Sequence, residues 1–268
     1  MARRRTVLSL EGNIGAGKST LMRLLRDCAG LAVVDEPVAR WQSVRAPGEA
    51  EVEPPVNLLD LFYKDQKRWA FTFQTFAFLS RAQAAVDALR FQEDSGQPSS
   101  AAVVLERSLD SDKHVFATNC FETGLFTRAE WAVYSNYHQW TAQQHPFVSV
   151  DGFIYLRTEL RTCQQRCAKR SRPEDESIGL DYLGQIHTRH EDWLLPSAQP
   201  HTSGLARNLD LLRTTTKHGV PVLVVDCNKE FENDKERNME IMKAVCHFAE
   251  EVTNQWRTRD AVTSAQTS

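Results

Sequence analysis

Gly12-Asn13-Ile14-Gly15-Ala16-Gly17-Lys18-Ser19 is the stretch from which the rest of the chain is read. It fits the phosphate-binding pattern G-x-x-x-x-G-K-[ST]. Its flanks agree with that reading. Thr6 to Glu11 is a short apolar strand pattern entering the loop, and Lys18 to Leu25 leaves it with Leu21, Leu24 and Leu25 at helical spacing. Glycines let the backbone turn its N–H groups inward, and the following helix adds its positive end, so the loop can surround a phosphate. Lys18 would then neutralise β- and γ-oxygens, and Ser19 would set its hydroxyl on Mg²⁺.

The composition around this loop narrows the ligand. The 268 residues are 41% hydrophobic, enough for one large α/β domain with short flexible tails at 1–5 and about 257–268. The net charge of −3 gives no basic field of the kind that holds nucleic acid, so a small anionic ligand is expected. No apolar run approaches the roughly 20 residues that span a bilayer. Met1 to Arg5 is too short for a leader peptide, which points to the cytoplasm; Arg3-Arg4-Arg5 reads as a weak nuclear address or a solvated tail. The six cysteines, Cys28, Cys120, Cys163, Cys167, Cys227 and Cys246, are scattered through regular elements and are expected as free thiols. Cys163 with Cys167 lacks a second pair at zinc-site spacing, and His187 with His190, followed by Glu191 and Asp192, reads as a solvated helix face, so no structural metal is assigned.

Taken in order, the pattern alternates strands and helices. Strands are expected at Leu31 to Val34, Ala101 to Leu105, Gly152 to Leu156 and Val220 to Val225. Helices are expected from Asn57 to Tyr63, about Lys67 to Glu93, 110 to 122, 127 to 145, Thr158 to Lys169, Gly179 to Leu195, Ala206 to His218, and Asp234 to about Gln255. Ala46 to Pro55 is a Pro-rich acidic loop. Such alternation means a parallel sheet covered on both faces, with ligands beyond the carboxyl ends of its strands.

That rule gathers the chemistry. The first strand delivers the loop, the second Glu36, and the third Glu106 and Arg107. A carboxylate closing a strand beside such a loop typically holds Mg²⁺, which suits Glu106. Glu36 could take a proton from a neutral hydroxyl attacking the γ-phosphate, with Arg107 keeping it ionised. Arg166, Lys169, Arg170 and Arg172 cluster at a helix end, where a basic segment can fold over transferring phosphate as a lid. On the long helix, Gln74, Ala77 or Phe78, and Arg81 fall at i, i+3 or i+4, and i+7, so an amide and a guanidinium share a face that can read the edge of a nucleobase, whose ring Phe73 could contact. An aromatic stripe at that spacing also reads simply as core.

These stretches together resemble the deoxyribonucleoside kinase family, in its deoxycytidine and deoxyguanosine kinase group. The matching segments are Gly12 to Thr20, Asp35-Glu-Pro-Val-Ala-Arg-Trp41, Phe71 to Ala77 with Arg81, Glu106-Arg-Ser108 with Asp112, the Arg-rich lid, and Leu180-Asp-Tyr-Leu183 to Glu191-Asp-Trp193. The resemblance runs from about Thr6 to Ala249. It implies a P-loop kinase fold of five parallel strands with a lid, a homodimer, and ATP or another triphosphate as donor to a nucleoside 5′-hydroxyl. It makes Glu36 the general base, with Arg107 on the base and 5′-oxygen. Gln74, Arg81 and Asp112 would bind the nucleobase, Phe73 and Phe116 would pack on its ring, and Trp41 would line the pocket. Tyr63 matches the partner of the sugar 3′-hydroxyl, together with a lid carboxylate that aligns with Asp175, between Glu174 and Glu176. Arg166, Arg170 and Arg172 match phosphate ligands, and Glu230-Phe231 the donor-base contact. Asp110 stands where an aromatic residue is expected.

Two other readings compete. A thymidylate-type nucleotide kinase shares loop and lid, but its acceptor already carries phosphate, which Glu36 would repel. A nucleotide-dependent switch would need an Asp where Phe231 ends Asn228-Lys229-Glu230-Phe231.

Overall fold

The computed structural model describes residues 5–27, 31–48, 54–94, 102–170, Glu174, 178–195 and 211–266. Six strands form one sheet: β1 Thr6–Gly12, β2 Leu31–Val34, β3 Ala102–Glu106, β4 Gly152–Arg157, β5 Leu211–Thr215 and β6 Pro221–Asp226. Their spatial order is β2-β3-β1-β4-β6-β5, parallel except for β5, which runs antiparallel to β6. The helices are α1 Lys18–Leu25, α2 Val38–Gln42, α3 Leu58–Lys64, α4 Gln66–Asp94, α5 Leu109–Ser111, α6 Thr118–Glu122, α7 Arg128–Gln144, α8 Leu160–Arg170, α9 Leu180–Leu194 and α10 Lys235–Gln266. A π-helical segment, Asp112–Ala117, joins α5 to α6.

Every residue of β1 and of β3 is buried, as expected of central strands with helices on both faces. On one face Leu8, Leu10, Ile154, Leu156, Leu223 and Val225 pack with Leu21 and Leu25 of α1, Leu183 of α9, and Val245, Phe248 and Val252 of α10. On the other, Val7, Val103 and Leu105 meet Ala85 and Leu89 of α4. A separate aromatic core, with Trp41, Phe62, Phe73, Phe78, Phe126 and Tyr134, lies among α2, α3, α4 and α7. Register aligns the strand ends. Leu10 pairs with Glu106, Val34 with Leu105 and Gly12 with Leu156, so the residues that follow β1, β2 and β3 emerge at one edge of the sheet.

The sheet departs from the expected five parallel strands by its sixth, antiparallel edge strand. The stretch expected as a helix from Ala206 to His218 instead contains β5, while 206–210 lie outside the described residues. The β-branched Thr214 and Thr215 favour an extended backbone, and a turn closed by Gly219 at φ +77° returns the chain directly into β6. Helix α10 runs on to Gln266, past the expected end near Gln255. Cys120, Cys163, Cys167, Cys227 and Cys246 are free thiols, and Cys28 lies outside the described residues. The acidic loop is described only at 46–48 and 54–55.

Candidate active site

The loop after β1 takes its shape from glycine and from what packs behind it. Gly12, Gly15 and Gly17 have φ of +148°, +79° and +102°, a region side chains rarely occupy. A Cβ on Gly15 would stand 2.3 Å from the Cys163 carbonyl and 2.9 Å from Cys167 Sγ, so α8 closes directly on the loop. Ala16 is buried. The Asn13 amide donates to the Leu183 carbonyl at 2.9 Å, and its oxygen accepts from the Ile14 N–H at 2.9 Å. Lys18 is buried and lays its ammonium across the carbonyls of Gly12 (3.1 Å) and Asn13 (2.8 Å). Burial, helped by the charge of Arg107, lowers its pKa to about 8 against the pull of Glu106 and Glu36. Ser19 Oγ donates to Glu106 Oε1 at 3.1 Å. A hydroxyl and a carboxylate beside the loop form the hard-oxygen donor set that Mg²⁺ takes, so these two residues fit that ion.

Arg107 follows β3 in the left-handed region, at φ +64°, a conformation that a bulky residue adopts only under tertiary constraint. The constraint is visible. Its N–H donates to the Leu10 carbonyl at 3.1 Å, its Nη2 to the Gly12 carbonyl at 3.1 Å, and its Nη1 to Glu36 Oε1 and Oε2 at 2.9 and 3.0 Å. Its guanidinium also lies 4.8 Å over the Phe116 ring. Beneath it Glu11 is wholly buried, accepting from Ser9 Oγ at 2.5 Å and Ser108 Oγ at 3.1 Å; burial raises its pKa against those bonds and against Arg107.

Arg81 of α4 bonds two carboxylates. Its Nη2 donates to Glu36 Oε1 at 2.5 Å and its Nη1 to Asp112 Oδ1. Burial opposes ionisation of Glu36, but Arg107, Arg81 and Lys18 outweigh it and hold the carboxyl down at about 2. For Asp112 the balance reverses, and burial lifts it to about 6 in spite of Arg81. Asp112 opens the π-helical segment, a winding that often re-aims side chains at functional sites.

A single cavity of about 720 Å³ takes in both halves, within the size range of small-ligand sites. Ile14, Gly15, Gly17, Lys18, Ser19, Thr20 and Glu106 line one end. Trp41, Tyr63, Phe73, Gln74, Arg81, Asp112 and Phe116 line the other, with Glu36 and Arg107 between. Phe73 is held edge-on by Trp41 at 5.6 Å and stacked by Phe62 at 4.7 Å, and Trp41 donates to Ser80 Oγ at 2.8 Å. Arg166, Arg170, Glu230 and Phe231 also line the cavity, and Phe231 is buried against Gly17. Arg172 and Asp175 lie outside the described residues. Glu174 accepts from Gln42 and Asn57 side chains, both at 2.9 Å, and Asn57 caps the helix that carries Tyr63. Asp110 pairs with His138 at 3.7 Å and does not line the cavity.

Some contributors were not legible in sequence. Phe62, Tyr182, Arg23 and Arg26 line the cavity, and Glu11 supports it from below. Tyr182 sits edge-on to Tyr63 at 6.4 Å. Only Tyr182 carried a signal, inside the Leu180-Asp-Tyr-Leu183 segment; Phe62 comes to the site through packing, Arg23 and Arg26 pair there with Glu232 and Asp35, and Glu11 is held by Ser9 and Ser108.

A family model described as deoxynucleoside kinase matches residues 8–250. Deoxycytidine kinase 2 of Gallus gallus is 38% identical over 237 residues, 85% of this chain and 84% of its own. Deoxycytidine kinase of Homo sapiens is 37% identical over 245 residues, 88% and 89% of the two chains. The mitochondrial deoxyguanosine kinase of Xenopus laevis is 32% identical over 247 residues, 90% and 88%.

The Asp112 shift sets a stability trend. Between its ordinary 3.8 and about 6, the folded carboxyl keeps a proton that the unfolded chain has released. Stability therefore falls as pH rises through that window. Denaturant midpoints measured across about pH 4 to 7 should lose that segment in Asp112→Asn; an unchanged curve would assign the trend to another group.

Proposed function

Since the chain belongs to the deoxynucleoside kinase family, and so transfers phosphate from a nucleoside triphosphate to a deoxyribonucleoside, we propose roles for its residues and a base preference. The observation that carries the reading is one cavity that joins Lys18 of the P-loop to the Glu36–Arg107 ion pair and to a buried aromatic and amide pocket.

The deoxynucleoside lies with its ring between Phe73 and Phe116 and its edge toward Gln74, Arg81 and Asp112. Tyr63 takes the 3′-hydroxyl together with a lid carboxylate, Glu174, Asp175 or Glu176. Glu36 accepts the 5′-proton as the 5′-oxygen bonds to the γ-phosphorus and the bond to the β,γ-bridging oxygen breaks. Arg107 keeps Glu36 aimed and steadies the 5′-oxygen. Backbone N–H groups of residues 12–20 and the Lys18 ammonium hold the β- and γ-phosphates, and Arg166, Arg170 and Arg172 close over them as a lid. Ser19 and Glu106 would hold Mg²⁺, which would supply charge neutralisation at the phosphates. Glu230 and Phe231 flank the donor base.

Arg81 and Asp112 supply a donor and an acceptor to one edge, which suits the amino and ring-nitrogen edge of cytosine or adenine. We infer deoxycytidine as a preferred acceptor, in keeping with the relatives named for it. Thymine carries a carbonyl and a methyl there, and meets Arg81 without pairing Asp112.

A homodimer is proposed from an apolar stripe. Val133, Tyr137 and Trp140 of α7 stand 42%, 48% and 59% exposed at i, i+4 and i+7, and Leu79 of α4, next in sequence to the Phe78 that packs on Tyr134 of α7, is 49% exposed. Packing this stripe against its two-fold copy covers all four.

Glu36→Gln should lower kcat by roughly 10²–10⁴ while deoxynucleoside binding survives, since the amide keeps the shape and cannot take a proton. Near-normal kcat removes Glu36 from the mechanism. Arg81→Met with Asp112→Ala, which removes both charges together, should raise kcat/KM for thymidine relative to deoxycytidine; an unchanged ratio sinks the base-reading assignment. Val133→Glu with Trp140→Glu should shift sedimentation from dimer to monomer, and a species unaltered by the change locates the interface elsewhere.

A further inference from the structure

Arg81, proposed above to read the base, is bonded in this structure to the residue proposed to do the chemistry. Glu36 Oε1 accepts from Arg81 Nη2 at 2.5 Å and from Arg107 Nη1 at 2.9 Å, which occupies both lone-pair directions of that oxygen. Its Oε2 accepts from Arg107 at 3.0 Å. A carboxylate gripped by two buried guanidiniums is a weak proton acceptor, because removing its charge would leave both cations uncompensated. The other end of Arg81 is unfinished. Arg81 Nε and Asp112 Oδ2 are buried without a hydrogen-bond partner among the described residues. An unmet donor and an unmet acceptor beside a cavity lined by Gln74 and Phe73 are costly unless a ligand satisfies them. Both atoms are covered in this arrangement, so a base edge that bonds them must turn the guanidinium, and turning it draws Nη2 from Glu36.

We propose that Arg81 is a latch on Glu36, closed when the site lacks a nucleoside and opened by the nucleobase. The inference rests on the reading of Glu36 as general base. It gives the enzyme a reason not to waste its donor: with the latch closed, water beside the γ-phosphate meets a carboxylate that cannot take its proton. It also implies a second activity. A nucleoside that lacks the 5′-hydroxyl opens the latch and leaves water in the hydroxyl's place. The water oxygen then bonds to the γ-phosphorus while the bond from that phosphorus to the β,γ-bridging oxygen breaks. Glu36 takes one water proton and later passes it to solvent, and the products are nucleoside diphosphate and inorganic phosphate.

The test is phosphate release from ATP without an acceptor. The 5′-deoxy analogues of deoxycytidine and deoxyadenosine are added to the wild-type enzyme at concentrations that suppress phosphorylation of the parent nucleosides. Release should rise roughly tenfold or more over the empty enzyme, and Glu36→Gln should abolish the rise. An analogue that inhibits phosphorylation yet leaves release at the empty-enzyme rate overturns the latch. Arg81→Met with Asp112→Ala opens it by substitution, so basal release should exceed that of wild type with no analogue present; an equal rate also overturns it. Glu36→Gln separates this inference from the one beneath it. A variant that still phosphorylates deoxynucleosides defeats the general-base reading, whereas an inactive variant with no analogue-driven release in wild type defeats the latch alone.

Discussion

The guanidinium of Arg107 ties together three strand ends, and the site depends on it. Its Nη2 holds the Gly12 carbonyl where β1 becomes the loop, its Nη1 holds Glu36 beyond β2, and its own backbone continues β3. The left-handed conformation at φ +64° turns the side chain back across the sheet edge. Such a conformation costs on the order of 1–3 kcal/mol and persists only where several contacts hold it, and here the backbone bond to Leu10 and the contacts to Glu36, Gly12 and Phe116 do so.

From this tie follows a line of alternating charge through a buried region: Arg107, Glu36, Arg81, then Asp112. Each ion would be expensive to bury alone, and each is tolerable because its neighbours have the opposite sign. The line is unevenly settled. Glu36 has more cation than it needs and is held down at about 2, whereas Asp112 has less and is lifted to about 6. One fold thus tunes two carboxylates in opposite directions, and Arg81, which touches both, is the group through which a change at one is felt at the other.

The apolar architecture makes that network rigid. Phe73 is pinned between Phe62 and Trp41, Trp41 is pinned by Ser80, and α8 closes on Gly15 with no room for a Cβ. Donors and acceptors held in advance need little reorganisation when charge develops on a transferring phosphate, which is where such sites gain most of their rate.

The phosphate loop, the alternation of strands and helices, and Glu36, Glu106 and Arg107 at strand ends were all legible in sequence, because each depends on local spacing and on residue types with few other uses. Sequence alone determined which residues are candidates. The tertiary structure decided how they are paired. Arg81 and Asp112 were expected together at the far end of the pocket, yet Arg81 also reaches Glu36, a contact between α4 and the chain after β2 that no local pattern encodes. The antiparallel β5 was hidden for a related reason: its residues suit a helix or a strand, and only the neighbouring edge of β6 made the strand the better partner. Short-range spacing sets periodicity and turns, whereas ion pairs and sheet edges join residues distant in the chain, and burial settles their partners only once the chain has folded.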